Sequence, residues 1–131
     1  MTAKITLLAA LCASLFLPAL ASAQNETLLR QPLASVAGRD FTLLRITLPP
    51  MSGNGDPERG HRHPGDTIVY VESGTVTNQM GDGPSHDYHA GEFWVEGPEE
   101  LHAVFRNNDP AEPAVVVVFM ITGTGEPLTH R

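Results

Sequence analysis

Glycine and proline punctuate this chain so closely that little of it can run on as helix. Twelve glycines and eleven prolines are spread through 131 residues. Proline removes a backbone donor from a helix interior, and glycine there costs about 1 kcal/mol relative to alanine. No amphipathic helical pattern survives between the breakers. The segments that remain are short and strand-like. Thr27 to Leu33 and Phe41 to Leu48 are separated by the turn Ala37-Gly38-Arg39-Asp40. Pro49 to Gly60 reads as a loop. Asp66 to Glu72 stops at Ser73-Gly74, and Thr75 to Met80 stops at Gly81-Asp82-Gly83-Pro84. Glu92 to Glu96 follows Tyr88-His89-Ala90-Gly91 and is closed by Gly97-Pro98, with Phe93 and Val95 facing one way and Trp94 the other. Leu101 to Phe105 turns at Asn107-Asn108-Asp109-Pro110. Ala114 to Ile121 carries Val115 to Val118 in a row, as a strand covered on both faces would. Seven or more such strands predict an all-β domain, a sandwich or a barrel.

The first 23 residues stand apart from this pattern. Lys4 supplies a positive charge, and Ile5 to Leu17 is apolar but for Thr6 and Ser14. Pro18 breaks the run, and Ala21-Ser22-Ala23 has the small residues of a cleavage site. Residues 1–23 are therefore expected to be a secretory signal peptide, too short to span a bilayer. The mature chain would be a single domain of residues 24–131, periplasmic or secreted. Removing the signal removes Cys12, the one cysteine, and Lys4, the one lysine. That excludes disulfides, thiol nucleophiles, thiolate ligands and Schiff-base chemistry from the mature protein. Seven arginines then face fifteen acidic side chains, a formal charge of −8. Such a surface repels phosphate backbones, so nucleic acid is excluded as a partner. Nothing after residue 23 is long and apolar enough to be a membrane span.

The chemistry is concentrated in His61, His63 and His102. Residues two apart on a strand point the same way, so His61 and His63 can grip one ion. A third imidazole from another strand completes a facial set and leaves positions for water or substrate. The competing reading is a group of exposed loop or half-buried strand histidines with no ligand.

These residues resemble the cupin family. The family's first motif is Gly-x5-His-x-His-x(3,4)-Glu-x6-Gly, and His61, His63 and Gly74 fall in place. The second is Gly-x5-Pro-x-Gly-x2-His-x3-Asn, and Gly91 and His102 match. Asn107 sits one place late, and Gly97 and Glu99 occupy the inner Pro and Gly positions. The resemblance covers Gly60 to Asn107 and implies a single antiparallel β-barrel, jelly-roll-like. It also implies a divalent ion (iron, manganese, zinc, copper or nickel) and a small-molecule ligand or substrate. Relatives of this kind often pair by adding a strand to a sheet edge, which makes Thr27 to Leu33 the expected contributor to a homodimer. One residue departs from the pattern. The usual Glu ligand is replaced by Thr67, whose parity with 61 and 63 turns it inward, whereas Asp66 and Glu72 should point out. The resemblance thus implies a neutral three-histidine site, in which Thr67→Glu should strengthen binding.

Other residues carry weaker expectations. His86 and His89 read as exposed loop histidines, with a second metal site as the alternative, and His130 as frayed. Tyr70 and Gln79 are expected to pack in the core or at an edge, the alternative being a lining of the cavity. Trp94 is a cavity wall or a packing residue. Glu96, Glu99 and Glu100 read as a solvated acidic turn, the alternative being an acid or base near the mouth or a stand-in for the missing ligand. No catalytic residue is identified. Three functions remain open. The first is a metal-dependent dioxygenase or isomerase. The second is a non-catalytic cupin that binds a small organic ligand or senses metal. The third is a purely structural or partner-binding barrel.

Overall fold

A computed structural model of the protein describes residues 22–131. The signal segment expected over residues 1–23 lies outside the described residues, except for its last two. The strands in chain order are β1 (Gln24–Pro32), β2 (Arg39–Leu48), β3 (Gly53–Asn54), β4 (His61–Arg62) and β5 (Asp66–Ser73). They continue with β6 (Thr75–Met80), β7 (His86–His89), β8 (Phe93–Glu96), β9 (Leu101–Arg106) and β10 (Ala114–Gly123). A single 3-10 turn, Pro57–Arg59, is the one helical element among the described residues. No helix there is long and apolar enough to cross a membrane.

All strand pairs are antiparallel and form two sheets. One has the order β1-β2-β10-β5-β8; the other runs β3-β9-β6-β7, with β4 also paired to β9. This is the all-β, jelly-roll-like architecture expected, built as two sheets rather than one continuously hydrogen-bonded cylinder. The core forms where alternating residues of β5, β8 and β10 in one sheet meet those of β6 in the other. Val69, Val71, Val76, Trp94, Val116, Val118 and Met120 are buried there. Burying an aliphatic side chain of this size contributes about 1.5–3 kcal/mol, so this row holds the two sheets together.

Three expectations fail in informative ways. The Val115 to Val118 run is not covered on both faces. Val116 and Val118 are buried, but Val115 and Val117 are only half-buried, and Phe119 and Ile121 are exposed on the same outer side. A run of valines records β propensity, not the number of covered faces. The loop from Pro49 to Gly60 contains β3 and the 3-10 turn. His130 is not frayed. Its backbone exchanges two hydrogen bonds with Arg62, at 2.8 and 3.0 Å, and its ring lies 2.9 Å from Glu99.

Two glycines bracket the His61–His63 segment and let it lie close to its neighbours. A Cβ at Gly60 would come within 2.8 Å of the His102 carbonyl oxygen, and one at Gly65 would strike the Ile121 backbone. Glycine at both places brings the segment down onto β9 on one side and β10 on the other.

Candidate metal centre

His61 and His102 meet because β4 and β9 pair in a register that sets them directly opposite. Opposed residues carry their Cβ atoms about 4.5–5.5 Å apart, within reach of two imidazoles. His63 follows two residues later, on the same face as His61. The ring centroids lie 4.8 Å apart for His61 and His63 and 5.0 Å apart for His61 and His102. Each ring offers one nitrogen to a cluster in which all three lie within 4.8 Å of one another. The structure thus brings together the three histidines that the sequence singled out.

Hydrogen bonding orients one of them. His63 Nδ1 lies 2.8 Å from the Leu128 carbonyl oxygen. A carbonyl only accepts, so Nδ1 carries the proton and Nε2 presents a lone pair. That lone pair faces His61 Nε2 at 3.2 Å. A ring held by its second nitrogen is the usual support of a metal-binding histidine.

Glu96 borders the three histidines, touching His63 and His102, and its position corrects the expectation of a solvated turn. Its side chain is 1% exposed. Oε2 lies 3.3 Å from His63 Nε2, and Oε1 lies 3.2 Å from His102 Nδ1. Trp94 Nε1 donates to Oε1 at 2.8 Å. Trp94 is therefore a packing residue of the core that also positions Glu96; it does not line the cavity, and its ring lies against Tyr88 with centroids 4.8 Å apart. One signal for Glu96 was present in the sequence: it shares strand parity with Trp94 and opposes Phe93 and Val95. Glu99 and Glu100 are exposed, as an acidic turn should be.

Thr67 is completely buried and turned inward, as expected, with Oγ1 on the Gly65 carbonyl oxygen at 3.3 Å. Asp66 and Glu72 point out, and Glu72 pairs with Arg45 at 2.7 Å. His86 and His89 are exposed but belong to β7 rather than a loop. Tyr70 lies on the outer face of β5, and Gln79 donates to the Gly81 carbonyl oxygen at 3.1 Å. Neither lines the cavity.

Burial sets the charge state of the cluster. It drives the His61 pKa down to about 4, helped by His63, and the His102 pKa down to about 3, helped by His61 and His63. His63 is lowered mainly by burial as well. Burial pushes Glu96 up to about 7 against the pull of the Trp94 hydrogen bond. At neutral pH the imidazoles are uncharged, with lone pairs ready to bind, so their contacts with Glu96 are not ion pairs.

The unpaired atoms test whether an ion fits. His102 Nδ1, His102 Nε2 and Glu96 Oε2 are buried without a hydrogen-bond partner. Each such atom costs about 1–3 kcal/mol, and natural proteins rarely gather three in one place without a purpose. A divalent ion satisfies nitrogen and oxygen donors together, so the residues present fit one. The cluster opens onto a cavity of about 610 Å³, with an apolar wall that includes Leu44, Ile46, Val118 and Met120, and with Asn54 and Arg59 also on its lining.

The chain and its fold match a known family. The model of the cupin domain matches residues 46–120, more than half of the chain, and the chain belongs to that family. Among solved structures, a Klebsiella pneumoniae protein with a double-stranded beta-helix domain is 19% identical, with a TM-score of 0.63 over 87% of this chain and 90% of that one. A cupin domain from Bordetella pertussis is 17% identical, with a TM-score of 0.58 over 78% and 95%. The DMSP lyase DddQ from Ruegeria pomeroyi is 18% identical, with a TM-score of 0.57 over 69% of this chain but only 42% of that one. No curated protein matches the sequence.

Proposed function

We propose that the protein binds one divalent metal ion through His61, His63 and His102 and acts on a small, oxygen-bearing organic molecule in the adjoining cavity. One observation carries this reading: three neutral imidazoles converge, with both His102 nitrogens buried and unpartnered, at the wall of a cavity of about 610 Å³. The bound ion would supply Lewis acidity or, if redox-active, dioxygen chemistry. The chain's own groups do the rest. His63, fixed by Leu128, holds its lone pair toward the cluster, and the apolar wall excludes water around a bound molecule. Dioxygenase and isomerase chemistry fit this arrangement, and so does elimination of the kind that the name of the Ruegeria pomeroyi DMSP lyase implies.

The test is metal content of the purified protein, followed by oxygen uptake and product analysis with small hydroxy, keto and phenolic acids. Stoichiometric iron, manganese, zinc, copper or nickel with turnover supports the proposal. Stoichiometric metal with ligand binding but no turnover favours the non-catalytic module. Absence of metal binding defeats the proposal and makes the non-catalytic, ligand-binding cupin the preferred reading.

Export and pairing belong to the same proposal. Support for export is the order of Lys4, apolar run and Ala21-Ser22-Ala23. A secreted or periplasmic form beginning at Gln24, found by mass spectrometry, is the expected result. Support for a homodimer is the place of β1 at the edge of its sheet, exposed along its whole length. Light scattering at micromolar concentration should give twice the chain mass.

A further inference from the structure

The family pattern puts a carboxylate on β5, where this chain has Thr67, yet a carboxylate lies directly across the sheet. We propose that Glu96 on β8 is a fourth protein ligand of the ion held by His61, His63 and His102, taking the role that a side chain at position 67 would otherwise have. This rests on the three-histidine reading and extends it.

Register makes the exchange possible. Thr67 and Glu96 are cross-strand partners in the β5–β8 pairing, both turned inward and both buried. Inward positions directly opposite each other open onto the same space. Glutamate is also longer than threonine, so it can reach the cluster from one strand farther away. Thr67 is a poor substitute, because its hydroxyl is neutral and donates back to its own backbone at the Gly65 carbonyl oxygen.

The spacings fit a shared ion. Ligand bonds of about 2.0–2.1 Å set neighbouring donors about 2.8–3.0 Å apart in octahedral and about 3.3–3.4 Å apart in tetrahedral geometry. His61 Nε2 to His63 Nε2 is 3.2 Å, and His63 Nε2 to Glu96 Oε2 is 3.3 Å. Without an ion the His61–His63 contact is a hydrogen bond, and a cation would replace its proton with both nitrogens and Oε2 as ligand atoms at nearly the same spacing.

A purely orienting role for Glu96 fits less well. An orienting carboxylate accepts a hydrogen bond from the far nitrogen of a ligand histidine. Here Oε1 comes within 3.2 Å of His102 Nδ1, yet that nitrogen has no hydrogen bond. Oε1 is held instead by Trp94, at 2.8 Å, while the buried Oε2 has no partner. One oxygen is anchored by an indole and the other is left free, which is how a one-oxygen ligand is presented.

The consequence is a site with one protein negative charge, not a neutral one. It also reverses the expectation for Thr67→Glu. With Glu96 in place, that substitution sets two buried carboxylates against each other and should not strengthen binding.

The test is calorimetric titration with zinc of the native protein, Glu96→Gln, and the exchange variant Glu96→Thr with Thr67→Glu. Glu96→Gln should bind zinc at least about 10-fold more weakly than native, and the exchange variant should recover most of that loss. Infrared difference spectra of the native protein, zinc-loaded minus zinc-free, should show one carboxylate entering coordination, a readout that needs no variant to fold. If Glu96→Gln binds as native, or if no carboxylate band changes, Glu96 is only a buried partner of Trp94 and the proposal is wrong. If the native protein itself binds no zinc or manganese, the three-histidine reading falls first and this proposal with it.

Discussion

The two faces of the β1-β2-β10-β5-β8 sheet carry similar apolar content and do opposite things. On the outer face, Leu29, Leu43, Phe119, Ile68 and Val95 form one register row across all five strands. Val95 in that row is 58% exposed and Phe119 36%. On the inner face, the adjacent row runs Thr42, Met120, Thr67 and Glu96, and all four are buried. Hydrophobicity therefore does not tell inside from outside here. The polar residues do. A buried glutamate and two buried threonines mark the inner face, since burying such groups is costly unless they have partners there.

The comparison breaks most visibly through core deletion. Met120→Ala, on the inner face of β10, should destabilise the protein at the low end of about 2–5 kcal/mol, because the neighbouring cavity already leaves that residue fewer contacts to lose. Urea denaturation of the metal-free protein measures it. A loss below about 1 kcal/mol would mean that the inner row is not the core.

Next comes the cluster at the mouth of the inner face. His63→Ala should lower zinc affinity about 100-fold, equivalent to about 2.7 kcal/mol, because two imidazoles hold an ion poorly against buffer. Calorimetry reads this directly, and native-like binding by the variant would remove His63 from the site.

Proton linkage sharpens the contrast without any substitution. The histidines titrate lower in the fold than in the unfolded chain, so between about 4 and 6.5 the unfolded state binds more protons. Their contribution makes metal-free stability rise with pH across that window. Glu96 behaves oppositely. Its pKa rises from 4.5 to about 7 on folding, so its contribution falls as pH rises through that range. Three histidines outweigh one carboxyl throughout, because at pH 7 the unfolded chain still holds about 0.7 proton on them against about 0.5 on the folded Glu96. Denaturation in the presence of a chelator should show stability rising with pH and levelling off above about pH 7. Glu96→Gln should steepen the rise between about pH 5 and 7, and an unchanged slope in that variant would remove Glu96 from the linkage.

The smallest effect belongs to the outer face. Ile121→Ala, at a residue 39% exposed, should cost less than about 1 kcal/mol. A cost that matches Met120→Ala and grows with protein concentration would show that a second copy covers this face.

Much of this was legible in the chain because the information was local. Strand alternation put Thr67 inward and Asp66 and Glu72 outward, and the His-x-His spacing put two imidazoles on one side. The glycine and proline breaks excluded long helices, and motif spacing added His102. Each of these follows from the two-residue period of a strand or from the conformational limits of single residues. Glu96 was not legible in the same way. Its own parity showed only that it shares a face with Trp94, not which face is buried or what lies opposite. That depends on the β5–β8 register, which sets Thr67 against Glu96, and on the β4–β9 register, which sets His61 against His102. The backbone pairing of His130 with Arg62 and the support of His63 by Leu128 likewise join residues more than sixty positions apart. Sequence alone determined which residues could serve a metal site and which way each strand turns them. Tertiary structure decided which strand brings the carboxylate, because cross-strand neighbours are chosen by the packing of the whole sheet and not by any segment within it.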